Sequence, residues 1–219
     1  MARPRTHDLD RVLDVAEELV AREGLEGFTV RRLSAAAGIS NGAVYHAFGS
    51  VPALLGRTWL RAGDDFLELQ TALVDAALEG GDAVGAVVAA ADAPAAFALR
   101  RPAGARMLMS VRSDRLLGPQ LPQEVAEALL GLERRLVALL VRLAQAVWGR
   151  ADAAAVGVVT SCVVDLPTAL LGRELAGPSL EPVELSADLR RRLEAAVRAV
   201  LTVPLPAVGT GRPERNDHA

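Results

Sequence analysis

Lysine is absent from this 219-residue chain: all 24 basic side chains are arginine. Beside heavy use of Ala, Val, Gly and Leu, this reads first as the codon bias of a GC-rich genome and only second as selection for bidentate phosphate contacts. Cys162 is the single cysteine, which excludes an internal disulfide. Aromatic residues make up 3% of the chain, so any core must be aliphatic. From Gly49 to Asp217 there is no His and no Tyr, and only that one Cys, so the usual general bases, Schiff-base amine and zinc ligands are nearly missing. The adjacent pair Asp64-Asp65 sits on what reads as a solvated helix. An enzyme is not expected, and no cofactor or metal site is called for.

The net charge of -3 excludes a protein coated in positive potential, whereas 51% hydrophobic content over this length allows a small helical unit plus a larger domain with a real core. The N-terminus is charged rather than signal-like, so the reading is cytoplasmic. Two apolar stretches invite a membrane reading, Ala83 to Leu99 and Ala153 to Gly172. The first is interrupted by Asp92 and Pro94 and the second by Asp165 and Pro167, where a lipid-facing carboxylate would be costly, so both read as buried helices of a soluble dimer.

The informative segment is TVRRLSAAAGISNGAVYHAF, residues 29–48. Val30, Leu33 and Ala37 fall at i, i+3 and i+7, which turns one apolar stripe inward and exposes Arg31 and Arg32. Thr29 suits the N-cap, since its hydroxyl can accept from an unpaired backbone N–H. Gly38 reaches the left-handed conformation without a Cβ clash and lets the chain turn, with Ile39 plugging the corner. Ser40 caps a second helix whose inward face is Val44 and Phe48 and whose outward face is Asn41, Gly42, Ala43, Tyr45 and His46. Two helices joined by a short Gly turn, the second presenting small and hydrogen-bonding side chains, form the helix-turn-helix arrangement that fits the DNA major groove. An ordinary helical hairpin in a core is the alternative. From Gly27 to Gly63 there is no Asp or Glu, while Arg31, Arg32, Arg57 and Arg61 all lie there. With an N-terminal arm carrying Arg3 and Arg5, this makes the electrostatic footprint that phosphate binding needs.

A capped amphipathic helix from Asp8 to Arg22, followed by EGLEGFTVRRLSAAAGISNGAVYHAFGSVPALL, resembles the N-terminal DNA-binding domain of the tetracycline-repressor (TetR) family of bacterial transcriptional regulators. The likeness covers about the first 65 residues and rests on the run from Gly24 to Thr29, Ala37-Gly38-Ile39-Ser40, Tyr45, and Phe48-Gly49-Ser50 in order. It implies that the second helix is the recognition helix, that Tyr45 and the Thr29 helix start touch phosphates, and that the rest is a helical ligand-binding and dimerisation domain. The family usually places a phosphate-gripping Lys just after the Gly-Ser pair, where this chain has Val51 and Pro52. That contact must be lost or supplied elsewhere, with Arg57, Arg61, Arg3 and Arg5 as the candidates.

The fold expected is all-α, with a DNA-binding domain over 1–65, an effector-binding and dimerisation domain over 66–203, and a disordered tail over 204–219. Helices are expected over about Asp82 to Arg100, Pro102 to Arg112, Gln123 to Trp148, Ala151 to Arg173 (kinked at Pro167) and Ser186 to Val203. Loops are expected around Gly118-Pro119 and from Gly177-Pro178 to Pro182. The helices at 151–173 and 186–203 are the expected dimer surface, since Ala153, Ala154, Ala155 and Gly157 permit close approach; packing within one monomer is the alternative. Phe97, Met107, Met109, Trp148 and Cys162 are candidates for lining an effector pocket or for plain core. Asp165, a carboxylate among Val163, Val164, Leu166 and Leu170, needs either a polar guest or an ion pair to Arg106, Arg112 or Arg142. The function expected is a homodimeric regulator, a repressor released from a palindromic operator by an unknown small molecule. The competing reading is a small-molecule-binding or interaction protein of the same fold with weak or lost operator affinity.

Overall fold

A computed structural model describes residues 6–112, 116, 120–175 and 184–207. Arg3, Arg5, Gly118-Pro119, the expected loop from Gly177 to Pro182 and the tail from position 208 lie outside the described residues. Within them the chain is helical, without a strand: α1 (Thr6–Gly27), α2 (Val30–Ala37), α3 (Asn41–Phe48), α4 (Val51–Glu79), α5 (Ala83–Arg100), α6 (Pro102–Ser110), α7 (Gln123–Trp148), α8 (Ala153–Thr160), α9 (Leu166–Leu175) and α10 (Ala187–Thr202).

Local chemistry sets most of these limits. Asp82, Asp152 and Ser186 accept hydrogen bonds from the first turns of α5, α8 and α10. Between α8 and α9 the residues Ser161–Asp165 form a π-turn, and the Leu166 amide donates to the Ser161 carbonyl. The irregularity expected at Pro167 thus lies just before it, where the proline, having no N–H, cannot continue the α-helical ladder.

Two apolar cores stack along α4. The first holds Val12, Ala16, Val20, Leu33, Val44, Phe48 and Leu54, and continues without a gap into Met107, Val111, Val125 and Leu129. The second is built largely of Ala, Val and Leu from α4, α5, α7, α8, α9 and α10. Since α4 runs unbroken through position 65, the N-terminal unit is seated on α6 and α7 rather than hung from a linker. At Gly56 and Gly63, seven residues apart on α4, α7 comes close: a Cβ there would stand 2.7 Å from Val125 Cγ1 and 2.5 Å from Leu132 Cδ2. Val125 and Leu132 are likewise seven apart, so the two long helices cross in a heptad register.

Two helices, Ala83–Arg100 and Ala153–Leu175, are apolar and long enough to cross a membrane by length and composition. The first carries Ala86, Val87, Ala90 and Phe97 in the second core. The expected dimer helices behave differently from each other. α10 packs on α5 and α9 and turns an ion-paired surface outward, with Arg191 and Arg192 on Asp188 and Arg198 on Glu194. Ala153–Leu175, expected as a buried helix, has only about a third of its apolar window buried, and a second outward apolar stripe lies on α7, where Leu130, Val137 and Val141 are 43%, 48% and 37% exposed. The first residues of the expected tail are held in place: Leu205 packs on the second core, and the Pro206 carbonyl accepts from Arg150.

Candidate nucleic-acid interface and the cavity behind it

α2 and α3 are fixed by their caps. Thr29 Oγ1 accepts from the Arg32 amide at 3.3 Å, Ser40 Oγ from the Ala43 amide at 3.1 Å, and Ser50 Oγ from the Ala53 amide at 3.2 Å. In each case the hydroxyl accepts, so its proton is not used by the cap. Gly38 sits at φ 70, ψ 29, and both its amide and that of Ile39 donate to the Ser34 carbonyl, which closes the turn. Val44 and Phe48 are buried, so α3 has one orientation only, with Asn41, Gly42, Tyr45 and His46 outward and Ala43 half-buried beside them. Tyr45 is 50% exposed. Arg31 is exposed on α2 and makes no ion pair among the described residues.

The other arginines of the acid-free window are occupied. Arg32 pairs with Glu23 and Arg57 with Glu124, both at 2.5 Å, and Arg61 with Asp14 at 2.7 Å and Glu17 at 3.4 Å. Arg57 and Arg61, the candidates to replace a Lys at position 51, project from α4 toward acids on α7 and α1. Val51 itself packs half-buried against the first core.

Glu17 escaped the sequence reading, although it lies on the inward stripe of α1 at i+4 from Leu13. It is buried, and Arg101 donates to it at 2.8 Å while also pairing with Asp65. Burial pushes its carboxyl above the usual carboxylate range, against the opposing pull of Arg101 and Arg61. The network joins α1 to α4 and α6.

Behind it, between α4, α5, α6, α7 and α9, lies a cavity of about 380 Å³. Phe66 and Phe97 line it as an edge-to-face pair with centroids 5.5 Å apart, together with Trp59, Met109 and Leu136. Of the sequence candidates, Phe97 and Met109 line this space. Met107 is fully buried in the first core, and Trp148 packs half-buried at the end of α7. Cys162 is buried in the second core, and burial lifts its thiol to about 11. Asp165 is exposed and makes no ion pair among the described residues, because the π-turn rotates it outward; Arg142 pairs with Asp75 instead. Gln70, which also lines the cavity, was missed by the sequence reading. Among the described residues no three His, Cys, Asp or Glu side chains converge as a metal site requires.

Residues 12–57 match the family model described as bacterial regulatory proteins, tetR family. The match bears out the resemblance drawn from the sequence. A TetR-like transcriptional regulator from Rhodococcus sp. RHA1 superposes with a TM-score of 0.65 at 18% identity, over 91% of this chain and 98% of that one. A TetR-family transcriptional regulator from Streptomyces coelicolor does so at 0.57 and 21%, over 89% and 97%. The superantigen PfiT gives 0.59 and 20%, over 93% and 100%. The chain thus has the fold of the TetR-family regulators. No curated protein sequence matches it.

Proposed function

We propose that this chain is a homodimeric, ligand-responsive transcriptional regulator of the cytoplasm, a repressor that leaves a palindromic operator when a small molecule binds. The observation that carries the reading is the outer face of α3. Asn41, Tyr45 and His46 are exposed, Gly42 and Ala43 leave room for the groove floor, and Val44 and Phe48 forbid any other orientation. Arg31, Thr29 and Ser40 flank that face and are assigned to phosphate, and the exposed Asn41 is assigned to a base edge. The domain limits proposed are 1–65 for DNA binding and 66–203 for effector binding and dimerisation.

Two-fold pairing is supported by the apolar stripe Leu130, Val137 and Val141 on α7 and by the small outward residues Gly157 and Ala169 of α8 and α9. A dimer formed there would set two recognition helices roughly one DNA turn, ~34–36 Å, apart. The cavity is the effector site of this reading. Because α4 carries Ser50 and Leu54 under α3 and also Trp59 and Gly63 in the cavity wall, an occupant that shifts α4 changes the spacing of the reading heads. A coupling of about 1–3 kcal/mol suffices.

Gel-shift titration against a randomised operator pool tests the proposal. Tyr45→Ala and Arg31→Ala should weaken binding to every sequence, whereas Asn41→Ala should relax preference at one position in each half-site. Equal loss on all sequences would remove Asn41 from base reading. Val51, in place of the phosphate-gripping Lys, favours the second reading, an interaction protein of this fold. That reading expects a shallow dependence on log salt and a gap below roughly 10³ between specific and non-specific DNA.

A further inference from the structure

The cavity walls are apolar, and one side-chain polar atom among the described lining residues is buried without a partner. Gln70 is 1% exposed. Its amide orientation is set by Pro94, which has no N–H, so that the Ala90 carbonyl four residues earlier lacks its helical donor. Gln70 Nε2 supplies that donor at 2.9 Å. Turning the amide over would set two acceptors against each other, so Oε1 is the remaining atom. Gln70 Oε1 is buried and has no hydrogen-bond partner. The other polar groups of the wall are committed or outside. The Trp59 indole donates to the Val111 carbonyl at 2.9 Å, the Thr168 hydroxyl to the Val164 carbonyl at 2.7 Å, and Glu133 is exposed at the rim.

A buried acceptor without a donor is unfavourable, and a guest that brings one relieves it. An ionised guest would lose its hydration with no buried counter-charge among the described lining residues. We propose that the cavity selects an uncharged, mainly apolar molecule whose hydroxyl or N–H donates to Gln70 Oε1. This rests on the reading of the cavity as the effector site.

The test compares three probes of similar size, 2-naphthol, 2-methoxynaphthalene and 2-naphthoate, titrated calorimetrically into the full chain. The wild type should bind 2-naphthol about tenfold or more tightly than its methyl ether, and the carboxylate more weakly still. Gln70→Met removes the acceptor but also strands the Ala90 carbonyl. The double variant Gln70→Met/Pro94→Ala restores an amide to that carbonyl, and it should bind the naphthol and its ether within about twofold of each other. Equal affinities in the wild type, or a preference that survives in the double variant, overturn the donor rule and leave the cavity reading standing. Carboxylate binding as tight as that of the naphthol overturns the requirement for an uncharged guest. Binding of none of the three by the wild type overturns the cavity reading and the rule with it.

Discussion

α10 and the pair α2–α3 both carry arginines outward, yet only on α2–α3 is one of them left without an acid among the described residues. On α10, Arg190 pairs with Asp92, Arg191 and Arg192 share Asp188, and Arg198 has Glu194 one turn away. On α2–α3, Arg31 faces solvent with no acid on its surface, beside a half-exposed Tyr45. The difference is the local balance of charge rather than the number of arginines. A screened pair on a helix surface adds little to stability and neutralises its field, whereas an unopposed cation keeps its attraction for an anion.

The sharpest way to break this comparison is within α3 itself. Phe48→Ala should cost about 3–5 kcal/mol in urea unfolding because it opens the first core, whereas Tyr45→Ala should stay within about 0.5 kcal/mol and still weaken DNA binding. Similar unfolding losses would mean that the outer face of α3 is part of a core. Next comes the α7 stripe: Val137→Glu with Val141→Glu should turn a dimer into monomers by analytical ultracentrifugation and leave the helical circular dichroism intact. An unchanged sedimentation coefficient would move the two-fold contact elsewhere.

Smaller effects are expected at Glu17. Because burial raises its carboxyl in the folded state, its favourable contribution is complete below the unfolded value and is lost as pH rises through the raised one. Glu17→Gln, which does not titrate, should therefore change stability by less than about 1 kcal/mol near neutrality and gain on the wild type as pH rises through that window. Urea midpoints of both proteins across pH 4 to 8 decide it, and a constant difference would refute the assignment. Smallest is the exchange that tests the opening contrast. Arg198→Ala should alter neither operator affinity nor its salt dependence, while Arg31→Ala should lower the salt slope by about one. Equal slopes for the two variants would remove the distinction between the surfaces.

Short-range features were legible in advance. α7 is Gln123–Trp148 as read from periodicity, and the caps Thr29 and Ser40 and the turn at Gly38 are where the residue types placed them. The arginines of α4 were not legible, because their acids come from positions 14, 17 and 124, on other helices. Glu17 and Gln70 could have been noticed as polar residues on otherwise inward stripes. Their partners, Arg101 and the carbonyl released by Pro94, depend on which helix lies against which. Similarly, Asp165 looked enclosed by its apolar sequence neighbours, but a π-turn of one extra residue rotates it to the surface.

By itself the order of residues determined the all-helical class, the two short helices with their turn, and the face that α3 shows to solvent, since caps, glycine dihedrals and helical periodicity act within a few residues. Which arginines keep a free charge, where the cavity opens and which of its described side-chain atoms lacks a partner were decided only by tertiary packing. Those properties arise from groups distant in sequence, and their burial and pairing are not defined until the helices have met.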